Sequence, residues 1–225
     1  MKNIINNGHR ARLRKRFITS ELNSFSEHEK LEFLLTFIIQ RKDCKPIAKN
    51  LLKKFKTFSG VLDAETGELI TIKGIGETSA ILLKSIKAFA QEYLKSNIEN
   101  KKKINSIKDV LDYLKLKFSG AQDENVCVML LDTKNNFLSF NKISSGTIDE
   151  SPVYIRKIID LALKKNAKSI ILVHNHPSGE VQPSSADKRI TKKIKQALEI
   201  VELNFYDHII VGYKNYFSFV ENKEL

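Results

Sequence analysis

The stretch 171-ILVHNHPSGEVQPSSAD-187 runs from an apolar segment through two histidines and a turn into a helix start, and the fold hinges on how it is read. Ser169 to Val173 read as a strand, Pro177-Ser178-Gly179 as a turn, and Pro183-Ser184 as the lead into a helix whose first turn carries Asp187. In extended chain, residues two apart point to the same side, so His174 and His176 present both imidazoles to one point while Asn175 faces away. A carboxylate at Asp187 can be aimed back at them. Two histidines and one aspartate supply three protein ligands, the count of an open catalytic site that keeps a position for water. Mixed nitrogen and oxygen donors suit zinc, and manganese or iron is tolerated by ligand type alone. Taken singly, each residue has a plainer explanation. A histidine at a strand end is commonly a hydrogen-bonded, half-buried residue, and Ser184-x-x-Asp187 is a capping box that needs no metal. Found together in one short window, they favour the metal.

Moving outward, strands and helices alternate on both sides. ENVCVMLLD reads as a buried strand opened by Glu124, and FLSFNKIS as a second strand after the Lys134-Asn135-Asn136 turn. Pro152 to Asn166 and the segment from Ser184 read as helices, and FYDHIIVG and YFSFV as closing strands. This is an α/β domain with helices packed on a mixed sheet. The N-terminal part is helical instead. SEHEKLEFLLTFIIQ, from Ser26, repeats apolar positions at helical spacing, and a second helix starts near Pro46. ITIKGIGETSAILLKSIKAFAQEYL sets a Gly74-Ile75-Gly76 turn between a short apolar segment and a longer helix, the layout of a helix-hairpin-helix. The resulting division is residues 1–95 as an all-α helix-hairpin-helix region, 96–105 as a polar linker, and 106–225 as the α/β domain.

The 225 residues suffice for one large domain or two small ones without covalent staples. Cys44 and Cys127 lack a CxxC partner, which points to core residues in a reducing compartment. No apolar run approaches the ~18 residues of a membrane span, and the start MKNIINNGHRARLRKRF has no apolar signal region, so a cytoplasmic protein is expected. The net charge of +12 is shared: residues 1–100 hold 18 basic against 11 acidic side chains, and residues 101–225 hold 20 against 15. That balance favours contact with polyanions without naming one, and a lysine-rich solubilising surface accounts for it equally well.

Two other motif readings fail on spacing. Zinc base deaminases need HxE and a later PCxxC, and here the third position is His176 and no PCxxC exists. The letters HNH at 174–176 do not make an HNH nuclease, whose signature is spread over a ββα unit. The string HNHPSGEVQPSSAD is instead similar to the HxHP…PSxxD motif of JAMM (MPN-plus) metallopeptidases. The wider context resembles the bacterial RadC family: GHRARLRKRF, LEFLLTFIIQRKDCKPIAKNLL, IKGIG, LLDTKNNFL, SSGTI, PSSADKRIT and DHIIVG all look like its segments. Ile155-Arg156-Lys157 departs from the Pro-Arg-Glu that relatives often carry there.

The resemblance implies a C-terminal JAMM/MPN (cytidine-deaminase-like) mixed-sheet α/β domain preceded by a small all-α domain. It implies one Zn2+ per chain held by His174, His176 and Asp187, with Glu124 as general acid/base and Ser184 helping to hold a developing oxyanion. The activity implied is hydrolysis of a peptide or isopeptide bond in a peptide or protein substrate. Asp207-His208, in DHIIVG, reads as support behind the metal or, more simply, as a satisfied core histidine. The competing function is a DNA-binding accessory or repair protein. For it, Gly74 and Gly76 would let backbone N–H groups approach a phosphate, with Lys84 and Lys87 one face along and no sequence specificity. Arg10, Arg12, Arg14, Lys15 and Arg16 form a basic cluster, expected as either a nucleic-acid contact or a flexible solvated arm.

Overall fold

A computed structural model of the protein describes residues 2–100, 103–145, 152–213 and 215–225, with backbone alone for residues 2–7, 152 and 153. Residues 146–148 of the SSGTI segment lie outside the described residues. The chain divides into two compact units, Met1–Ala90 and Gln91–Leu225.

The first unit is all helical: α1 (Lys2–Ser20), α2 (Glu27–Leu35), α3 (Lys45–Phe55), α4 (Phe58–Asp63), α5 (Thr66–Ile70) and the start of α6 (Glu77–Asn100). Leu31, Leu35, Ile47, Leu51, Val61, Leu69, Ile75 and Leu83 fill its core. The basic cluster is not a free arm. It lies on α1, where Arg16 makes a bidentate pair with Glu29 at 2.9 Å and 2.9 Å and stacks 4.1 Å from the Phe25 ring. Arg10 donates to the carbonyls of Ile39 at 2.8 Å and Lys42 at 2.6 Å. The apolar repeat through Ile38 predicts a helix to the end of that run, yet α2 stops at Leu35. The last α2 carbonyls are taken by the N–H groups of Thr36 to Ile39, and Arg10 serves the carbonyls of Ile39 and Lys42 beyond them.

The second unit holds a five-stranded mixed sheet in the order β2-β1-β3-β4-β5. Its strands are β1 (Asn125–Leu131), β2 (Phe137–Ser145), β3 (Ser169–Asn175), β4 (Asn204–Val211) and β5 (Tyr216–Ser218). β1 runs antiparallel to β2 and β3, β3 and β4 are parallel, and β5 returns antiparallel to β4. One face buries Cys127, Met129, Leu131, Ile171, Val173 and Ile209 against α7 (Lys108–Phe118). The opposite face buries Val126, Val128, Leu130, Ile170 and Leu172 against α8 (Pro152–Lys164) and α9 (Ser185–Ile200). Every residue of β3 is buried, so both of its faces must be apolar and the run SIILV carries no alternation.

The described part of the segment expected as a linker, 96–100 and 103–105, reaches into the core. α6 continues to Asn100, and Ile98 and Ile104 are buried in the core beside α7. Polar and charged neighbours hid two isoleucines that anchor this passage. Both cysteines are buried and free. Among the described residues, no helix is long and apolar enough to cross a membrane.

Candidate metal centre

The candidate site forms where β3 ends and α9 begins, at the carboxyl edge of the parallel β3-α9-β4 crossover, a usual place for ligands in α/β sheets. His174 points to the α8/α9 face and is fully buried. The chain then turns: Gly179 N–H donates to the His176 carbonyl at 3.0 Å, with Gly179 at φ +84, a conformation costly for any other residue. A Cβ there would also meet Tyr213 Cδ2 at 3.2 Å. Ser184 caps α9 by accepting from Asp187 N–H at 3.1 Å, and the Asp187 carboxylate closes the box by accepting from Ser184 N–H at 2.7 Å. The capping explanation and the ligand explanation of Asp187 thus describe one geometry. Ser184 fastens Oδ2, through its hydroxyl at 2.7 Å as well as its N–H, and Oδ1 remains turned toward the histidines.

The three side chains converge. His174 Nε2 lies 2.9 Å from His176 Nε2 and 3.3 Å from Asp187 Oδ1, and His176 Nε2 lies 3.8 Å from Asp187 Oδ2. Within the described residues this is the one group of three or more histidine, cysteine or acidic side chains close enough to hold a metal. The donor set fits a divalent cation of the zinc type. His176 Nδ1 faces the Glu180 carbonyl at 2.6 Å, and since a carbonyl only accepts, the ring proton sits on Nδ1 and Nε2 offers a lone pair to the cluster. Burial pushes the His174 imidazolium down to about 3, with Asp187 opposing and His176 adding to the shift, so protons do not compete for that nitrogen near neutrality.

Behind His174 stands His208, its Nε2 2.8 Å from His174 Nδ1 and its Nδ1 2.6 Å from Thr191 Oγ1. Complete burial drives the His208 pKa well below its ordinary value, and neighbouring His174 and His176 add to that. Asp207 does not face the cluster. It accepts from Ser218 Oγ at 2.6 Å and from the backbone N–H of Val220 at 3.1 Å, which ties β4 to β5, and burial raises its pKa against those bonds.

Glu124 precedes β1 and is half-buried. Val126 pairs with His174, so continuing that antiparallel register sets Glu124 opposite His176 and on the His174 face. It is not part of the close cluster. Asn175, which does face away from it, brackets Glu124 instead: its Oδ1 accepts from Asn125 N–H at 2.8 Å and its Nδ2 donates to the Asp123 carbonyl at 3.0 Å. Sequence reading missed Asn175 in this role, and missed Thr191. For Thr191 the available signal was a hydroxyl on the buried stripe of α9, one turn beyond Asp187 and between Ile190 and Ile194.

The hairpin residues behave differently. Gly74 and Gly76 are exposed around a buried Ile75. Gly74 has φ +99, and a Cβ there would come within 2.7 Å of Ile47 Cδ1. Lys84 Nζ donates to the carbonyls of Asp63 and Ala64 at 3.3 Å and 2.9 Å, and Lys87 pairs with Asp63 at 2.6 Å. Both lysines are engaged within their own unit.

The RadC-like JAB domain family matches residues 104–225, more than half of the chain and the part that holds all of the candidate residues at the β3 end. The chain belongs to the RadC family. Its relatives extend over the N-terminal unit as well. A UPF0758 protein of Fusobacterium nucleatum subsp. nucleatum is 41% identical over 223 residues, 96% of either chain. One of Ruegeria pomeroyi is 38% identical over 204 residues, 91% of either chain, and one of Rhodobacter capsulatus is 36% identical over 207 residues, 92% of this chain and 97% of its own. In RadC terms, the matched domain starts at Ile104, the buried isoleucine just ahead of α7.

Proposed function

We propose that this RadC-family protein is a JAMM-type zinc metallohydrolase that cleaves a peptide or isopeptide bond. The observation that carries the reading is the convergence of His174 Nε2, His176 Nε2 and the Asp187 carboxylate at one buried strand end. These three groups would hold a zinc ion, which would supply Lewis acidity to lower the pKa of water toward ~7 and to polarise a scissile carbonyl.

The chain's own residues do the rest. Glu124, held between the two backbone bonds from Asn175, takes a proton from the attacking water and delivers it to the leaving amine as the C–N bond breaks. Ser184 is the exposed cap of α9. Its hydroxyl, now donated to Asp187 Oδ2, can turn to the developing oxyanion while Ser184 N–H keeps Oδ2 in place. Asp187 therefore does not lose its orientation when Ser184 changes partner.

Metal analysis joined to a peptide-library cleavage assay tests the proposal. Wild type should carry one zinc and turn over, and Glu124→Gln should keep the zinc and lose turnover. Equal turnover in the two proteins would remove Glu124 from the mechanism.

A further inference from the structure

We propose that Thr191 and His208 are positioning residues that fix the proton of His174 on Nδ1 and so leave its Nε2 lone pair facing His176 and Asp187. The inference rests on the reading of those three residues as a metal centre and adds the device that sets one of its ligands.

The direction of each bond follows from counting hydrogens. The Thr191 hydroxyl has one, and Oγ1 lies 2.5 Å from the Asp187 carbonyl oxygen and 2.6 Å from His208 Nδ1. A carbonyl can only accept, so the hydroxyl hydrogen points to Asp187. Thr191 Oγ1 must then accept from His208, which places the His208 proton on Nδ1 and makes its Nε2 an acceptor. His174 Nδ1, 2.8 Å away, must be the donor to it. The proton of His174 is thereby assigned, and Nε2 is bare.

The second histidine reaches the same state by another route, through Nδ1–H to the Glu180 carbonyl. In the neutral rings, two nitrogens without a proton thus face one another at 2.9 Å, with Asp187 Oδ1 at 3.3 Å from one of them. A cation is the partner that completes such a set. The His208 ring meets Thr191, His174 and the face of Phe219, stacked at 4.6 Å and 13°. Thr191, His208 and His174 are all buried. The relay also starts and ends on the site, since Asp187 offers its carboxylate to the cluster and its carbonyl to Thr191.

The test uses the full chain in two measurements. Long-range proton–nitrogen NMR on metal-free, histidine-labelled protein should show His174 and His208 as Nδ1–H tautomers. Competition with a chromophoric chelator should show Thr191→Val and His208→Phe binding Zn2+ about 10–100-fold more weakly than wild type. Thr191→Ser, which restores the hydroxyl, and His208→Gln, which restores an acceptor oxygen, should recover most of the loss. The relay is overturned if His174 carries its proton on Nε2 in the wild type, or if Thr191→Val binds Zn2+ within twofold of wild type with the His174 tautomer unchanged. Because the tautomer measurement needs only wild-type protein, it decides even where a variant does not fold. Nδ1–H tautomers in a protein that takes up no zinc would uphold the relay and remove the metal reading alone.

Discussion

The hairpin around Gly74 and the turn around Gly179 are built from the same parts: a glycine at positive φ, a close neighbour where a Cβ would stand, and charged groups nearby. They end differently. At the hairpin, Lys84 and Lys87 find carbonyls and a carboxylate inside their own unit. At the Gly179 turn, three potential ligand atoms face each other with their outer contacts satisfied and their inner ones directed at a common point. A turn motif reports a bend in the chain. What distinguishes a site is a set of ligand atoms directed at one common point.

The comparison can be broken at the strand end first, where the largest effects belong. Glu124→Gln should lower turnover by about 10²–10⁴-fold while zinc content stays at the wild-type value, as steady-state kinetics with metal analysis will show. Asp187→Asn keeps an oxygen for the α9 cap but removes the anionic ligand. Its zinc affinity should fall by at least about 100-fold, with helix content by circular dichroism unchanged. If α9 melts in that variant, the cap and ligand roles are not separable in the way the geometry suggests.

At the hairpin the expected effects are on stability. Gly74→Ala places a methyl group against Ile47 in a backbone region alanine avoids, and should cost roughly 1–3 kcal/mol in denaturant unfolding while zinc binding is unaffected. Lys87→Met removes a half-buried pair with Asp63 and should cost about 1 kcal/mol. The smallest effect concerns pH. Arg16 holds the Glu29 carboxyl down to about 2, chiefly through its hydrogen bonds to that carboxylate. Since the folded pKa lies below the ordinary value of about 4.3, the stabilisation is full above that pH and is lost as pH falls toward 2. Arg16→Met should flatten this acid limb of the stability curve.

Much of the second unit was legible because its local signals agree. Apolar runs bounded by turn residues gave β1, β3 and β4, and Ser184 with Asp187 marked the start of α9. His174, His176 and Asp187 were legible for the same reason: all three lie within one strand-turn-helix passage, where period and turn chemistry govern direction. Glu124 and His208 were named through the family resemblance and not through spacing, because their places depend on pairing between distant segments. His208 reaches His174 only through the parallel β3-β4 register, and Glu124 reaches the same face only through the antiparallel β1-β3 register. No spacing in the sequence carries that information. The solvated-arm reading of the basic cluster on α1 missed its contacts for a related reason: Arg10 and Arg16 are held by carbonyls and a carboxylate supplied from α2 and the chain just beyond it. The burial of Ile98 and Ile104, inside the stretch expected as a linker at 96–105, was hidden by composition, since the two stand among polar and charged neighbours.

The central claim is that His174, His176 and Asp187 form a set completed by one divalent cation. Zinc stoichiometry of the full chain, measured side by side for wild type and Asp187→Asn, tests it most directly. One zinc per chain in wild type and none in the folded variant is the predicted result. A zinc-free wild type after exposure to the metal, or a variant that retains its zinc, would contradict it.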